Sequence, residues 1–354
     1  MRRVRLVVSY DGTAYFGSQM QPHVVTVEQK LAEAVQGLTG ASAQLILASR
    51  TDTGVHALGN VAVFDTDFPM TVSRYAAALN AYLPPDIRIQ AADEVALNWH
   101  PRKQHCEKTY EYRIWNERIM NPLLRNSAAH CYMPLNLSAM RAALPALLGE
   151  HNFAAFCASG SSAAHAVRSI YRAELMAERK AAGEYAGLMT FRITGNGFLY
   201  HMVRIIVGTL IEIGSGKKQA DAFQIAIQSR SRRDTGPVAP AAGLVLAGIR
   251  YLPIPLRYAA DNADWRYELS QENLAETRES YLTVEYCRSA DYAALLTRLI
   301  HESHRDGARR VLLCDREDSA RLFAGQHFDF YQVKENPDRE SREQFPFVAL
   351  DAGR

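Results

Sequence analysis

The sequence predicts an α+β protein made of two successive ferredoxin-like (βαββαβ) halves, with their antiparallel sheets side by side and a cleft between them, followed by a small C-terminal α/β extension. Three observations predict it. Apolar positions alternate, shift to helical spacing and return to alternation in the order strand, helix, strand, strand, helix, strand, and that order occurs twice. Gly and Pro punctuate the pattern at the element ends. A polar, Pro-containing stretch then separates the duplicated part from about a hundred further residues of different pattern. With 354 residues, 48% apolar and 22% charged, the chain has the composition of an ordinary globular protein with room for two or three domains.

The first half is expected over 1–105. Residues 3–10 alternate, with Val4, Leu6 and Val8 on one face, as in a strand. Thr26 and Gln29 form a capping box ahead of Val27, Leu31, Val35 and Leu38, and Gly40 stops that helix. Strands follow at 43–49 and 60–66, then a helix over 72–82 that ends before Pro84-Pro85, then a strand at 87–92. The second half is expected over 106–253: a strand at 109–115, a helix over 137–148 that Pro145 should kink or break, strands at 167–178 and 187–194, a helix over 201–213 and a strand at 243–251. Residues 254–280 are expected to be a linker, and 281–354 an accessory α/β unit with strands at 281–286, 310–314, 328–333 and 345–350 and a helix over 290–302.

The net charge of +2 conceals an asymmetry. Residues 254–354 hold 14 Lys and Arg against 19 Asp and Glu, a balance of −5, which leaves +7 on residues 1–253. A basic body with an acidic tail suits a polyanionic partner for the body alone. No apolar run reaches the ~18 residues that span a bilayer, and the basic-then-apolar start, residues 1–8, has the length of a strand and not of a signal peptide. Cys106, Cys131, Cys157, Cys287 and Cys314 are scattered, odd in number and without metal-ligand spacing, as expected of reduced thiols in a cytoplasmic protein.

The most informative stretch is Arg50-Thr51-Asp52-Thr53-Gly54-Val55-His56-Ala57. It places one carboxylate at the end of a strand, beside an arginine, in a turn that opens with Thr and closes with Gly. A neighbouring cation favours the ionised carboxylate, and an ionised Asp in a cleft can serve as nucleophile or base. Asp-Thr-Gly is also an ordinary turn, so the tripeptide alone leaves both readings open. A second signal is Arg204. It sits in a segment otherwise made of Met202, Val203, Ile205, Ile206, Val207, Leu210 and Ile211, which is a buried helix. A buried arginine is costly unless paired with a carboxylate, and Asp52 is the natural partner; the alternative is an arginine that snorkels to water.

The octapeptide resembles the catalytic loop of the TruA-type tRNA pseudouridine synthases. Further blocks in the same order resemble that family too: Ser9-Tyr10-Asp11-Gly12-Thr13, Leu83-Pro84-Pro85-Asp86-Ile87, Trp99-His100-Pro101-Arg102, Lys108-Thr109-Tyr110-Glu111-Tyr112-Arg113, Gly149-Glu150-His151-Asn152-Phe153, the run Gly195 to Arg204, Gly236-Pro237-Val238-Ala239-Pro240 and Gly243-Leu244. The likeness runs from about residue 3 to about residue 252 and stops there. Ser18 stands where the family usually has Trp, Thr53 where Ala is usual, and residues 103–107 differ from the family pattern.

The resemblance implies the pseudouridine synthase fold and a cofactor-independent isomerisation of uridine at positions 38–40 in the anticodon arm of tRNA. It assigns the catalytic carboxylate to Asp52, its partner to Arg204, and stacking on a flipped-out uracil to Tyr110, which by pattern alone is an ordinary core aromatic. Leu244 takes the other side of the base, and Arg50 the adjoining phosphate or the space the base leaves. Arg102, Lys108 and Arg168, with Arg172, Arg230, Arg232 and Arg233, are candidates for a track along the RNA backbone. The resemblance also implies a homodimer in which one tRNA touches both subunits. The acidic extension is expected to be separable from the chemistry and to pack on the body or recruit a protein partner.

Three further patterns suggest other chemistry. Asp234-Thr235-Gly236 repeats residues 52–54, as an aspartic protease dyad would, but arginines beside both triplets oppose the shared proton such a dyad needs. Residues 214–218 suggest a phosphate loop, but Ile211 and Lys218 stand where the spacing needs Gly and Ser/Thr, so the segment is expected to be a helix stop. His301 and His304 have no third ligand near in sequence. The competing functional readings are a duplicated RNA-binding fold without catalysis and a glycosidase that frees uracil.

Overall fold

The computed structural model describes residues 1–251 apart from 105, 161–164 and 180–184, and beyond them residues 265–270, 279–287, 310–315, 332–334 and 347–351. The chain divides into two compact units, Met1–Arg250 and Tyr251–Arg354.

The first unit opens with β1 (Arg2–Tyr10), α1 (Val27–Thr39), β2 (Ile46–Leu47), β3 (His56–Thr66), α2 (Tyr75–Asn80) and β4 (Ile87–Val95). Strand β1 buries Val4, Leu6, Val8 and Tyr10 on one face. Its other face carries Arg3 and Arg5, paired with Asp65 and Asp93 of the strands on either side. Helix α1 begins and ends as its sequence requires. Thr26 accepts the Gln29 N–H, and Gly40 closes the helix at φ 74°. The strands run β4-β1-β3 with β2 on the far side of β3, the arrangement of a βαββαβ unit.

The second half repeats the plan with β5 (Cys106–Trp115), β6 (Ala129–His130), α3 (Leu137–Ala143), β7 (Gly149–Asn152), β8 (Val167–Arg179), β9 (Tyr185–Gly195), α4 (Met202–Gly214), α5 (Ala222–Ser229) and β10 (Leu244–Tyr251). Its order is β10-β5-β9-β8-β7. The two half-sheets fuse through a short parallel pairing of β10 with β3, Val245 opposite His56 and Leu246 opposite Ala57. One ten-stranded sheet therefore runs across both halves, and the seam lies beside the turn that carries Asp52.

Several elements differ in extent from the expectation. The strand at 43–49 is two residues long, because the chain turns into the 48–55 loop. The helix expected over 137–148 is α-helical only to Ala143 and continues as a 3₁₀ turn, Leu144–Leu147, with Pro145 in its first turn. The short strands β6 and β7 and helix α5 were not foreseen; two-residue and four-residue pairings leave almost no period to read.

The second unit contains a five-stranded sheet in the order β11-β12-β13-β15-β14, where β11 is Trp265–Ser270, β12 Glu279–Cys287, β13 Arg310–Asp315, β14 Gln332–Lys334 and β15 Phe347–Asp351. Strands β12 and β13 pair in parallel and the other neighbours are antiparallel. β11 falls inside the stretch expected to be a linker: Trp265, Tyr267 and Leu269 alternate with Arg266, Glu268 and Ser270, a period hidden by polar flanks. The helix expected over 290–302, and His301 and His304, lie outside the described residues.

Candidate active site

A cleft of about 1040 Å³ opens in the first unit. It is lined by the 48–53 loop after β2, by Gly17, Gln19 and Gln21 after β1, by Lys108 and Tyr110 of β5, by residues 198–204 at the start of α4, and by Arg102 and Leu244. Among its described lining residues Asp52 is the sole carboxylate, set among Arg50, Arg102, Lys108 and Arg204.

The loop that carries Asp52 is tied down on its buried side. Ser18 brackets Thr51: its N–H donates to the Thr51 carbonyl at 3.0 Å, and its hydroxyl accepts the Thr51 N–H at 2.9 Å. Gly17, at φ 87°, permits that approach, since a Cβ there would lie 2.8 Å from the Thr51 oxygen. The Thr51 hydroxyl lies 2.8 Å from the phenol of Tyr10 on β1. Asn60 of β3, fully buried, donates to both the Tyr10 phenol and the Ser49 carbonyl while accepting the Ser49 N–H. Ser49 in turn hydrogen-bonds the Tyr110 phenol at 3.0 Å. The backbone closes with the Val55 N–H on the Asp52 carbonyl and Gly54 at φ 77°. These bonds tie the loop to β1, β3 and β5 and make it a rigid support for the carboxylate.

Asp52 faces the first turn of α4. Arg204 donates from its NH1 to Asp52 Oδ2 at 3.3 Å and from its Nε to the Ala239 carbonyl at 2.8 Å. The Ala239 N–H returns a bond to the Arg204 carbonyl. The segment 236–240 can lie this close to α4 because Gly208 has no side chain to strike the Pro237 carbonyl. Gly236 donates to the Thr209 hydroxyl at 2.8 Å on the same helix. The Gly-Pro-Val-Ala-Pro block therefore serves to hold Arg204, and the arginine reaches the carboxylate instead of water. The N-terminus of α4 itself adds partial positive charge near Asp52.

Tyr110 lies in the wall, nearly buried, with Phe198 edge-on at 5.1 Å between ring centres. Burial holds the Tyr110 phenol above the usual tyrosine range and lifts Tyr10 to about 12, so both act as neutral hydroxyls. Leu244, at the first position of β10, borders the same space. Arg102 and Lys108 donate to consecutive carbonyls at the end of β2, Leu47 at 2.6 Å and Ala48 at 3.0 Å, which aims both cations at the cleft. Burial pushes Arg102 and Lys108 below their usual ranges, helped at Arg102 by the neighbouring Arg50 charge.

Of the residues expected in the site, Asp52, Arg204, Tyr110, Arg50, Leu244, Arg102 and Lys108 come together here. Arg168 does not line the cleft; it donates to the carbonyls of His165 and Val167 at the start of β8. Arg232 is occupied with the Thr235 hydroxyl and the Gly236 carbonyl, and Arg172 pairs with Glu174. The second Asp-Thr-Gly is a structural turn that anchors the 236–240 crossing, and it contributes no carboxylate to the cleft. Residues 214–218 form the end of α4, with the Lys217 and Lys218 N–H groups on the Glu212 carbonyl. Sequence reasoning passed over Ser18, Tyr10, Asn60, Ser49 and Phe198 as site residues. It also passed over His201, whose Nε2 lies 3.4 Å from Asp52 Oδ2.

Comparison with known proteins decides the family. The family model for tRNA pseudouridine synthase matches residues 6–102 and 143–252, which take in most of both halves, with the 48–53 loop and the start of α4, and leave out β5. The chain belongs to the tRNA pseudouridine synthase family. It is similar to tRNA pseudouridine synthase A of Acetivibrio thermocellus, 45% identical over 251 residues, which is 71% of this chain and 100% of that relative. The enzyme of the same name from Thermoanaerobacter sp. is 42% identical over the same lengths, and that of Myxococcus xanthus 39% over 71% of this chain and 92% of its own. Pseudouridine synthases are isomerases, and this chain is one of them. The match leaves the acidic C-terminal region outside the family pattern. No helix among the described residues is long and apolar enough to cross a membrane.

Proposed function

We propose that this chain converts uridine to pseudouridine in the anticodon stem-loop of tRNA, at positions 38–40, with Asp52 as the catalytic carboxylate acting on a flipped-out base. The observation that carries the reading is the one carboxylate among the described lining residues of a basic cleft, bound to a half-buried arginine and mounted on a hydrogen-bonded loop.

The reaction breaks the C1′–N1 bond, joins C1′ to C5, and moves a proton from C5 while N1 gains one. No electrons or high-energy group are exchanged, so the site must hold a detached base, let it turn, and manage one proton. The floor of the cleft suits those tasks. Tyr110, backed by Phe198, offers a ring face for the uracil, and Leu244 an apolar surface opposite. Arg50, Arg102 and Lys108 surround the mouth with positive charge that suits the phosphates beside the displaced nucleotide. Arg168 and the other arginines outside the cleft extend that field along the basic body.

The reading includes a cytoplasmic homodimer, on the strength of the family resemblance and the free thiols Cys106, Cys131 and Cys157. The C-terminal unit, at −5, is an accessory that packs on the body or recruits a protein partner and does not bind RNA phosphates.

The test is tritium release from C5-labelled uridine in tRNA by Asp52→Asn. Asn is nearly isosteric, so tRNA affinity and thermal stability should hold while turnover disappears. Retention of more than about one per cent of wild-type turnover, a loss below ~3 kcal/mol in barrier, would overturn the assignment.

A further inference from the structure

His201 is the N-cap of α4 but does not cap it: its side chain makes no bond to the helix N–H groups. Its backbone sits at φ 60°, ψ 6°, a left-handed conformation that a residue with a Cβ adopts only when its surroundings impose it. The consequence is where the ring goes. It stacks on Tyr200, with 3.9 Å between ring centres and 27° between planes, and Nε2 lies 3.4 Å from the Asp52 carboxylate.

That approach is to Oδ2, the same oxygen that Arg204 holds at 3.3 Å. Asp52 Oδ1 accepts no hydrogen bond from the described residues. The carboxylate is therefore approached at one oxygen from two sides, by the Arg204 hydrogen bond and by the His201 ring edge. We propose that His201 is a positioning residue for the isomerisation: with Arg204 it pins Asp52 Oδ2, so that Oδ1 is the oxygen presented to the nucleotide. This rests on the reading of Asp52 as the catalytic carboxylate.

The chemistry of an imidazole fits the task better than a second cation would. Burial pulls the His201 pKa down, Asp52 pulls it up and Arg204 pulls it down again, with a net lowering. The lowering favours the neutral ring, whose Nε2–H tautomer offers one donor without adding a full charge beside Arg204. At 3.4 Å the contact is long for an N–H···O bond. Such contacts tighten when the substrate fills the site.

Two variants separate positioning from backbone strain. Asn tolerates the left-handed backbone, but its amide stops short of the carboxylate. Gln places an amide nitrogen near the position of Nε2. On an unmodified tRNA transcript, His201→Asn should lower the single-turnover rate by ~10-fold, the weight of about one hydrogen bond in the barrier. The tRNA Kd should stay within about twofold, and His201→Gln should recover the rate to within about threefold of wild type. A wild-type rate in His201→Asn overturns the proposal. So does a rate loss that Gln fails to restore, or one that follows a matching loss of tRNA affinity or thermal midpoint. Asp52→Asn run in parallel keeps the two ideas apart. An inactive Asp52→Asn with a normal His201→Asn defeats only the positioning role, whereas an active Asp52→Asn defeats the catalytic assignment itself.

Discussion

Replacing Arg204 with Met removes two bonds at once, the one to Asp52 Oδ2 at 3.3 Å and the one to the Ala239 carbonyl at 2.8 Å. Met preserves the apolar stem against α4 and deletes the charge. Removing one partner of a fully buried ion pair costs ~3–5 kcal/mol, and an exposed pair is worth under ~1 kcal/mol. Arg204 and Asp52 lie between those limits, with side chains 15% and 24% exposed. The contact is also longer than an ideal charged hydrogen bond, which places it in the lower half of the range, ~1.5–3 kcal/mol. If the pair acts in the transition state, that is a ~10- to 150-fold loss of rate. The unmet Ala239 carbonyl adds a stability cost of about 1 kcal/mol or more, visible as an earlier urea midpoint. The assay is single-turnover pseudouridine formation at saturating enzyme, so that weaker tRNA binding does not enter. A double-mutant cycle on the urea midpoint then isolates the pair: Arg204→Met should cost less once Asp52 is already Asn, the Ala239 bond being lost in both backgrounds. Arg204→Met within about threefold of wild type, or full additivity with Asp52→Asn, would refute the claim that the arginine acts through the carboxylate.

Two further outcomes follow from the same structure. Lys108→Met should weaken tRNA binding several-fold and reduce the salt slope by about one phosphate contact, while in folding the relief of a buried charge, whose pKa burial depresses, opposes the loss of the bond to the Ala48 carbonyl. Because the unfolded chain binds the extra proton between the folded value and 10.5, the destabilising effect of the Lys108 charge is full at neutral pH and fades as pH rises through that window, so the wild-type urea midpoint should rise relative to the variant's toward pH ~10. Truncation after residue 253, at the end of the family match and close to the boundary between the two compact units, should leave tRNA modification intact in a soluble protein; outright loss of modification would make the acidic unit part of the active assembly.

What the sequence made legible follows from the physics of each element. Strands β1 and β5, with clean alternation, and helices α1 and α4, with a capping box in one and an apolar circumference in the other, were readable because local pattern and tertiary burial agree. Arg204 was readable for the opposite reason. A charge in that apolar helix violates the pattern, and the violation pointed to its partner. The linker expected over 254–280 holds a strand, Trp265–Ser270, that went unread because six residues with polar flanks look like coil, and β6 and β7 are too short for any period.

The support of the site was hidden for a different reason. Tyr10, Asn60 and Ser18 come from β1, β3 and the turn after β1, and each alone is an ordinary buried residue. Their role exists only in the pairing of β1 with β3, which brings the Tyr10 phenol within 3.1 Å of the Asn60 amide and 2.8 Å of the Thr51 hydroxyl. His201 is hidden by backbone as well as by distance. It reads as the first residue of a helix, and Asp52 lies 149 positions earlier in the chain. Only its left-handed φ and the stack on Tyr200 turn the ring toward the carboxylate. Residues that carry chemistry announce themselves by type and by broken pattern. Those that aim the chemistry are chosen by geometry, and one side chain out of place on a strained backbone is the trace they leave.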